Sequence, residues 1–112
     1  MNLATLGLIF KSGNMVYGFD SVKAEIQDPD SPIAGILLSC DLSPKTKKEI
    51  FFLRNSSRPE LEIVETLWDM EQIGKTAGKG AEKRIGVAAV MDRGFWKSIN
   101  KDNSVRGGTP SL

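Results

Sequence analysis

"ILLSCDLSPKTKKEIFF", Ile36 to Phe52, is the stretch that decides the fold. Ile36, Leu37 and Leu38 form a short continuous apolar run, the pattern of a strand buried on both faces. Asp41 and Leu42 then turn the chain. Ser43 stands where a helix N-cap belongs, and Pro44 fits the first helical position, where its missing N–H costs nothing. Lys45, Lys47 and Lys48 follow at once. Cations in a first turn oppose the helix dipole. They mark either a solvated helix face or an anionic partner near the carboxyl end of the strand, where open α/β sheets place their binding sites. The central strand is thus expected over Ile33–Ser39 and a lysine-headed helix over 44–55, its apolar side made by Ile50, Phe51 and Leu53.

The flanking sequence repeats the alternation. Leu3, Leu6, Gly7 and Phe10 recur at helical spacing, giving a helix over residues 2–12 that Gly13 and Asn14 end as a left-handed cap. Met15–Tyr17 suits a short edge strand. Asp20 or Ser21 can cap a second helix that turns Phe19, Val22 and Ile26 inward and stops near Asp28, because Pro29 and Pro32 disfavour helix before them. Residues 55–59 read as a loop and Leu61–Val64 as a strand. Asp69 and Gln72 stand at capping-box spacing for a helix with Met70, Ile73 and Ala77 inward and Gly78 as its stop. A polar loop, 79–84, leads to an uncharged strand, Ile85–Val90. Asp92 caps a last helix that buries Phe95 and Ile99. Helices and strands joined by short connections predict a three-layer α/β/α sandwich with a four-stranded mixed, mostly parallel sheet. The two apolar runs, Ile33–Ser39 and Ile85–Val90, are expected to be adjacent and parallel, with Met15–Tyr17 as the antiparallel edge. Residues 1–101 form one domain; 102–112 have little to bury and are expected to fray.

Composition narrows the chemistry. A chain 40% hydrophobic and 26% charged is of ordinary globular type. The net charge of +1 hides a polarity. Residues 43–58 carry five cations (Lys45, Lys47, Lys48, Arg54, Arg58) against Glu49, and residues 60–71 carry five acids (Glu60, Glu62, Glu65, Asp69, Glu71) and no cation. With no histidine and one cysteine, histidine catalysis, zinc clusters and internal disulfides drop out. Cys40, following the buried run, is expected to be a small core residue. No secretory leader or apolar stretch of membrane-spanning length is evident, so a cytoplasmic location is the default expectation.

"GKTAGKG", Gly74–Gly80, suggests a phosphate loop but fails on spacing: the glycine needed five positions before Gly74 is Asp69. No G-x-G-x-x-G occurs either. Asp41 is the one acid at a strand's carboxyl end, where a catalytic role competes with the commoner role of an aspartate that turns the chain. Trp68 and Trp96, each beside an element start, are expected to pack rather than to stack on bases. Two features can converge at one end of the sheet. The turn at Gly18 exposes the N–H groups of the helix behind it, and the 79–84 loop brings Lys79, Lys83 and Arg84. With Lys45 they make a basic rim, the footprint of structured RNA.

The order "LGLIFKSGNMVYGFDSVKAEI", "ILLSCDLSPKTKKEI", "IVET…MEQIGKTAGK", "IGVAAVMDRGFWKSI", spanning residues 2–100, resembles the ribosomal protein family of L-seven-Ae type in its bacterial branch, with its L-thirty-e-like sandwich. That resemblance implies a non-enzymatic protein with no cofactor that binds structured, kink-turn-like RNA or the ribosome as a monomer, with neither DNA nor membrane as partner. The family's RNA-reading pattern lands on Gly18, Asp20, Ser21, Val22 and Ala24. Gly18 and Val22 match; an aspartate, a serine and an alanine stand where the family has an amide, a glutamate and a lysine, with Lys23 next door. The family's acidic pair after the central strand lands on Cys40 and Asp41. Gly18, Asp20, Ser21, Lys23, Asp41, Lys45, Lys75, Lys79, Lys83 and Arg84 are therefore the expected RNA contacts, made chiefly to phosphates. The alternative is a protein-interaction module that kept the fold and lost RNA binding, using the acidic 60–71 face.

Overall fold

A computed structural model describes residues 3–77 and 84–101, the last three by backbone alone. The expected stop at Gly78, the cations Lys79 and Lys83, the burial of Ile99 and the tail from 102 onward lie outside what is described.

Helices and strands alternate as α1 (Leu3–Lys11), β1 (Met15–Tyr17), α2 (Phe19–Gln27), β2 (Gly35–Leu38), α3 (Pro44–Ser57), β3 (Glu62–Glu65), α4 (Met70–Thr76), β4 (Val87–Val90) and α5 (Arg93–Lys101). The local chemistry fixes most ends. Gly13, at φ +80°, follows α1. Ser43 caps α3, its hydroxyl accepting from the Thr46 N–H at 3.2 Å, with Pro44 in the first turn. Asp69 and Gln72 form the expected capping box of α4. Asp92 accepts from the Phe95 N–H at 3.0 Å. The start of α2 differs from expectation. Its N-cap is Gly18, not Asp20 or Ser21, and no side chain caps it. α3 also runs two residues past 55, to Ser57.

The sheet is mixed, in the order β1-β4-β2-β3. β2 and β4 are adjacent and buried, as expected, but antiparallel: Gly35 faces Val90 and Leu38 faces Val87. β1 also pairs antiparallel with β4, and only β2–β3 is parallel. The expectation of a mostly parallel sheet is thus corrected. The pattern misled for a physical reason. β1, β2 and β3 do run the same way, linked by the crossover helices α2 and α3. β4, however, inserts between β1 and β2 in the opposite sense. An uninterrupted apolar run reports burial on both faces and is silent on direction.

Side chains of the central strands alternate between two cores. Leu37, Ala88 and Val90 join Leu6 and Ile9 of α1, Ile73 of α4 and Trp96 of α5 on one face. Ile36, Leu38, Val87 and Ala89 join Val22 and Ile26 of α2 and Ile50 of α3 on the other. These are the three layers of an α/β/α sandwich. Cys40 is exposed, just beyond the buried Ser39, which corrects its assignment to the core. In α5 it is Trp96 that is buried, while Phe95 is half-buried.

Candidate nucleic-acid interface

β1, β2 and β3 finish, and β4 begins, at the same end of the sheet, so four connections meet there. Between them lies a groove of about 430 Å³ lined by Tyr17, Gly18, Phe19, Leu42, Thr46, Met70, Arg84, Ile85, Gly86 and Val87. Gly18 adopts φ +93°, ψ +146°, and its N–H donates to the Val87 carbonyl at 2.9 Å, tying the turn to β4. Gly18 has no side chain to cap with, so the first-turn N–H groups of α2 have no side-chain acceptor at the N-cap. Gly86 makes room on the groove wall. A Cβ there would meet Leu42 Cδ1 at 2.7 Å and Met70 Cε at 3.3 Å, so its absence lets those side chains lie against the strand.

Arg84 stands at the mouth, its Nη2 3.7 Å from Asp41 Oδ2. Asp41 does not close a turn on its own backbone. Its Oδ1 accepts from the Met70 N–H at 2.9 Å, holding the β2–α3 connection to the start of α4. The same connection is fastened again where the Cys40 N–H donates to the Trp68 carbonyl at 2.8 Å. Thr66, in turn, donates its hydroxyl to the Leu38 carbonyl at 2.8 Å. The groove therefore rests on a cross-braced base.

Of the expected contacts, Gly18 and Arg84 line this groove and Asp41 adjoins it through Arg84. Asp20 and Ser21 are exposed in the first turn of α2, and Lys45 is exposed on α3 beside Thr46. Lys23 lines a separate groove between α2 and α3. Lys75 is not among the lining residues and pairs with Glu71 at 3.4 Å. Leu42, Thr46, Met70 and Gly86 escaped the sequence reading, since apolar and small residues carry no charge signal. The position of Leu42 between strand and cap was the one available hint.

Several charged side chains of the two segments are engaged within the molecule, one of them in an ion pair between the segments. Lys47 pairs with Glu65 at 2.8 Å. Arg54 donates to the Leu61 carbonyl at 2.8 Å, and Arg58 to the Asp28 and Ser31 carbonyls. Glu62 accepts from the Trp96 indole N–H at 3.0 Å, and Asp69 caps α4. Lys23, Lys45 and Lys48 pair with no carboxylate among the described residues. Among the described residues no cluster of acidic, cysteine or histidine side chains could hold a metal ion, and no helix is long and apolar enough to cross a membrane.

No protein-family model matches the chain, and no curated protein does. Among solved structures it is similar to a protein with unknown function from Bacillus halodurans C, with a TM-score of 0.74 and 22% identity, over 88% of this chain and 92% of that one. At that identity the likeness establishes the shared α/β fold and nothing about function.

Proposed function

We propose that the chain is a non-enzymatic RNA-binding protein of ribosomal L-seven-Ae type, which takes the backbone of a structured, kink-turn-like RNA, free or in the ribosome, at the groove beside Gly18. One observation carries it: the uncapped first turn of α2 and the Arg84 guanidinium meet at a single groove. A helix N-terminus offers N–H groups and the positive end of its dipole to a phosphate. Arg84 adds a planar donor fork, and its pairing with Asp41 at 3.7 Å is too long to commit those donors. Lys45 extends the cationic surface along the first turn of α3. Lys79 and Lys83, which lie outside the described residues, are the further cations of this proposal. Such contacts position an RNA and carry affinity, yet read little sequence. Asp20 and Ser21, standing where the family pattern has an amide and a glutamate, fit the same account.

The test is titration of a kink-turn RNA and a plain hairpin side by side over a range of salt. With roughly four cations engaged, log affinity falls against log salt with a slope of about −3 to −4, and Arg84→Ala reduces the slope by about one unit for both RNAs. Tight kink-turn binding with a shallow slope, unmoved by Arg84→Ala or by Lys79→Ala with Lys83→Ala, would overturn the phosphate account. Absence of any retention on heparin or bulk RNA at low salt would leave the protein-interaction module in its place.

A further inference from the structure

A second groove, of about 410 Å³, runs between α2 and α3 and is lined by Phe19, Lys23, Lys48, Glu49, Phe52 and Leu53. Phe52 is 69% exposed, more than any other large apolar side chain among the described residues. Burying such a ring is favourable, so its exposure leaves binding free energy unused on the surface. Lys23 and Lys48 border it without carboxylate partners among the described residues. The two lysines outnumber Glu49, so the groove is cationic around an apolar floor.

We infer that this groove is a docking site for an acidic amphipathic helix of a protein partner, with apolar side chains seated on Phe19, Phe52 and Leu53 and carboxylates facing Lys23 and Lys48. The occupant is a helix because the walls are themselves two packed helices, and a groove between helices receives a third through anchors at i, i+3, i+4 and i+7. It is acidic by charge complementarity with the two unpaired lysines. A nucleic acid fits less well. Lys23 and residues 48–53 lie within helices whose backbone N–H groups there are already bonded, so only lysine heads could meet phosphates, and Glu49 would repel them. An apolar centre ringed by charge is the anatomy of a protein interface. The inference does not depend on the RNA proposal, although Phe19 borders both grooves and would bring such a partner beside anything bound at Gly18.

The experiment is an NMR titration of the isotope-labelled chain with a synthetic helical peptide bearing leucines at i, i+3, i+4 and i+7 flanked by glutamates. Its twin with lysines for glutamates and a plain RNA hairpin are titrated in parallel. The glutamate peptide is expected to shift the amides of 19–27 and 48–53. Phe52→Ala should weaken it about tenfold or more, with thermal unfolding unchanged because the ring is exposed. Lys23→Glu with Lys48→Glu should transfer the preference to the lysine peptide. The inference is overturned if neither peptide moves those amides or if both bind alike. It is equally overturned if only the hairpin moves them, or if they shift with protein concentration as a dimer forms, which would make a second copy the occupant.

Discussion

The two ends of β2 are built on opposite terms, and each turns on a glycine. At the amino end, Gly35 lies directly beneath the Trp96 indole: a Cβ there would sit 2.2 Å from the ring. The indole covers the strand, is 4% exposed, and donates its N–H to Glu62. At the carboxyl end, the strand runs out into the groove, where Gly18 closes the adjoining turn. A Cβ on Gly18 would meet nothing within 4 Å, yet its φ of +93° is one that side-chain-bearing residues rarely adopt. One glycine makes room and the other supplies an angle. The covered end holds the fold together; the open end leaves donors and an arginine facing solvent.

Trp96→Ala gives the largest expected effect, a loss of about 3–5 kcal/mol in chemical denaturation, the usual cost of emptying a buried aromatic site. Gly35→Ala in the native background also destabilises, because the ring must move. In the Trp96→Ala background that cost should largely vanish, since the obstructing atoms are gone. An undiminished cost in the double variant would mean that Gly35 serves the backbone and that the contrast between the two glycines is false. Gly18→Ala comes next, at about 1–3 kcal/mol, and it should be unaffected by Trp96→Ala because its origin is torsional. Unchanged stability on Gly18→Ala would show that the turn tolerates a side chain and that a glycine is not what opens this end.

These contrasts explain what the sequence could disclose. Local chemistry was legible: the Ser43 and Asp69 caps, the end of α2 near Asp28 and the burial of both central strands follow from short-range patterns. Long-range matters were not. The direction of β4 is set by its pairing with β1 and β2, strands distant in sequence, which no periodicity encodes. Cys40 looked like core because it follows a buried run, but Asp41 draws the chain away toward Met70 and leaves Cys40 outside. At the candidate site, Gly18 and Arg84 were identified by type. The apolar lining that brings them together was missed, because Leu42 was read only as part of a turn and Met70 as an ordinary inward residue of its helix. Counting cations likewise overstated how many are free to bind a partner, since internal contacts engage Lys47, Arg54 and Arg58.

The caps offer a smaller contrast between neighbouring helices at the open end. α3 has a side-chain cap and α2 has none. Ser43→Ala should cost about 1 kcal/mol in thermal or chemical unfolding, within the usual range for a lost capping hydroxyl. Because α3's terminal N–H is satisfied by Ser43 while α2's first turn is not, the same substitution should leave RNA affinity almost unchanged. A drop in RNA affinity larger than the loss of stability explains would move the binding surface from α2 to α3.

The smallest effect tests the open end most directly. Asp20 is exposed in the first turn of α2, where its negative charge complements the helix dipole and faces the same solvent as the groove. For folding that charge is favourable, by about 0.3–1 kcal/mol. For a phosphate approaching the same turn it is unfavourable. At roughly 6 Å in water the repulsion is about 0.7 kcal/mol, or threefold in affinity. Asp20→Asn should therefore move two readouts in opposite directions, lowering unfolding stability slightly while raising affinity for structured RNA about threefold at low salt. The gain should shrink as salt is raised, because exposed charges are screened over about 8–10 Å. It should appear equally for a kink-turn and a plain hairpin, since a phosphate contact is common to both. If Asp20→Asn weakens RNA binding instead, the carboxylate is accepting a hydrogen bond from a base or sugar, and the open end reads RNA rather than merely holding its backbone.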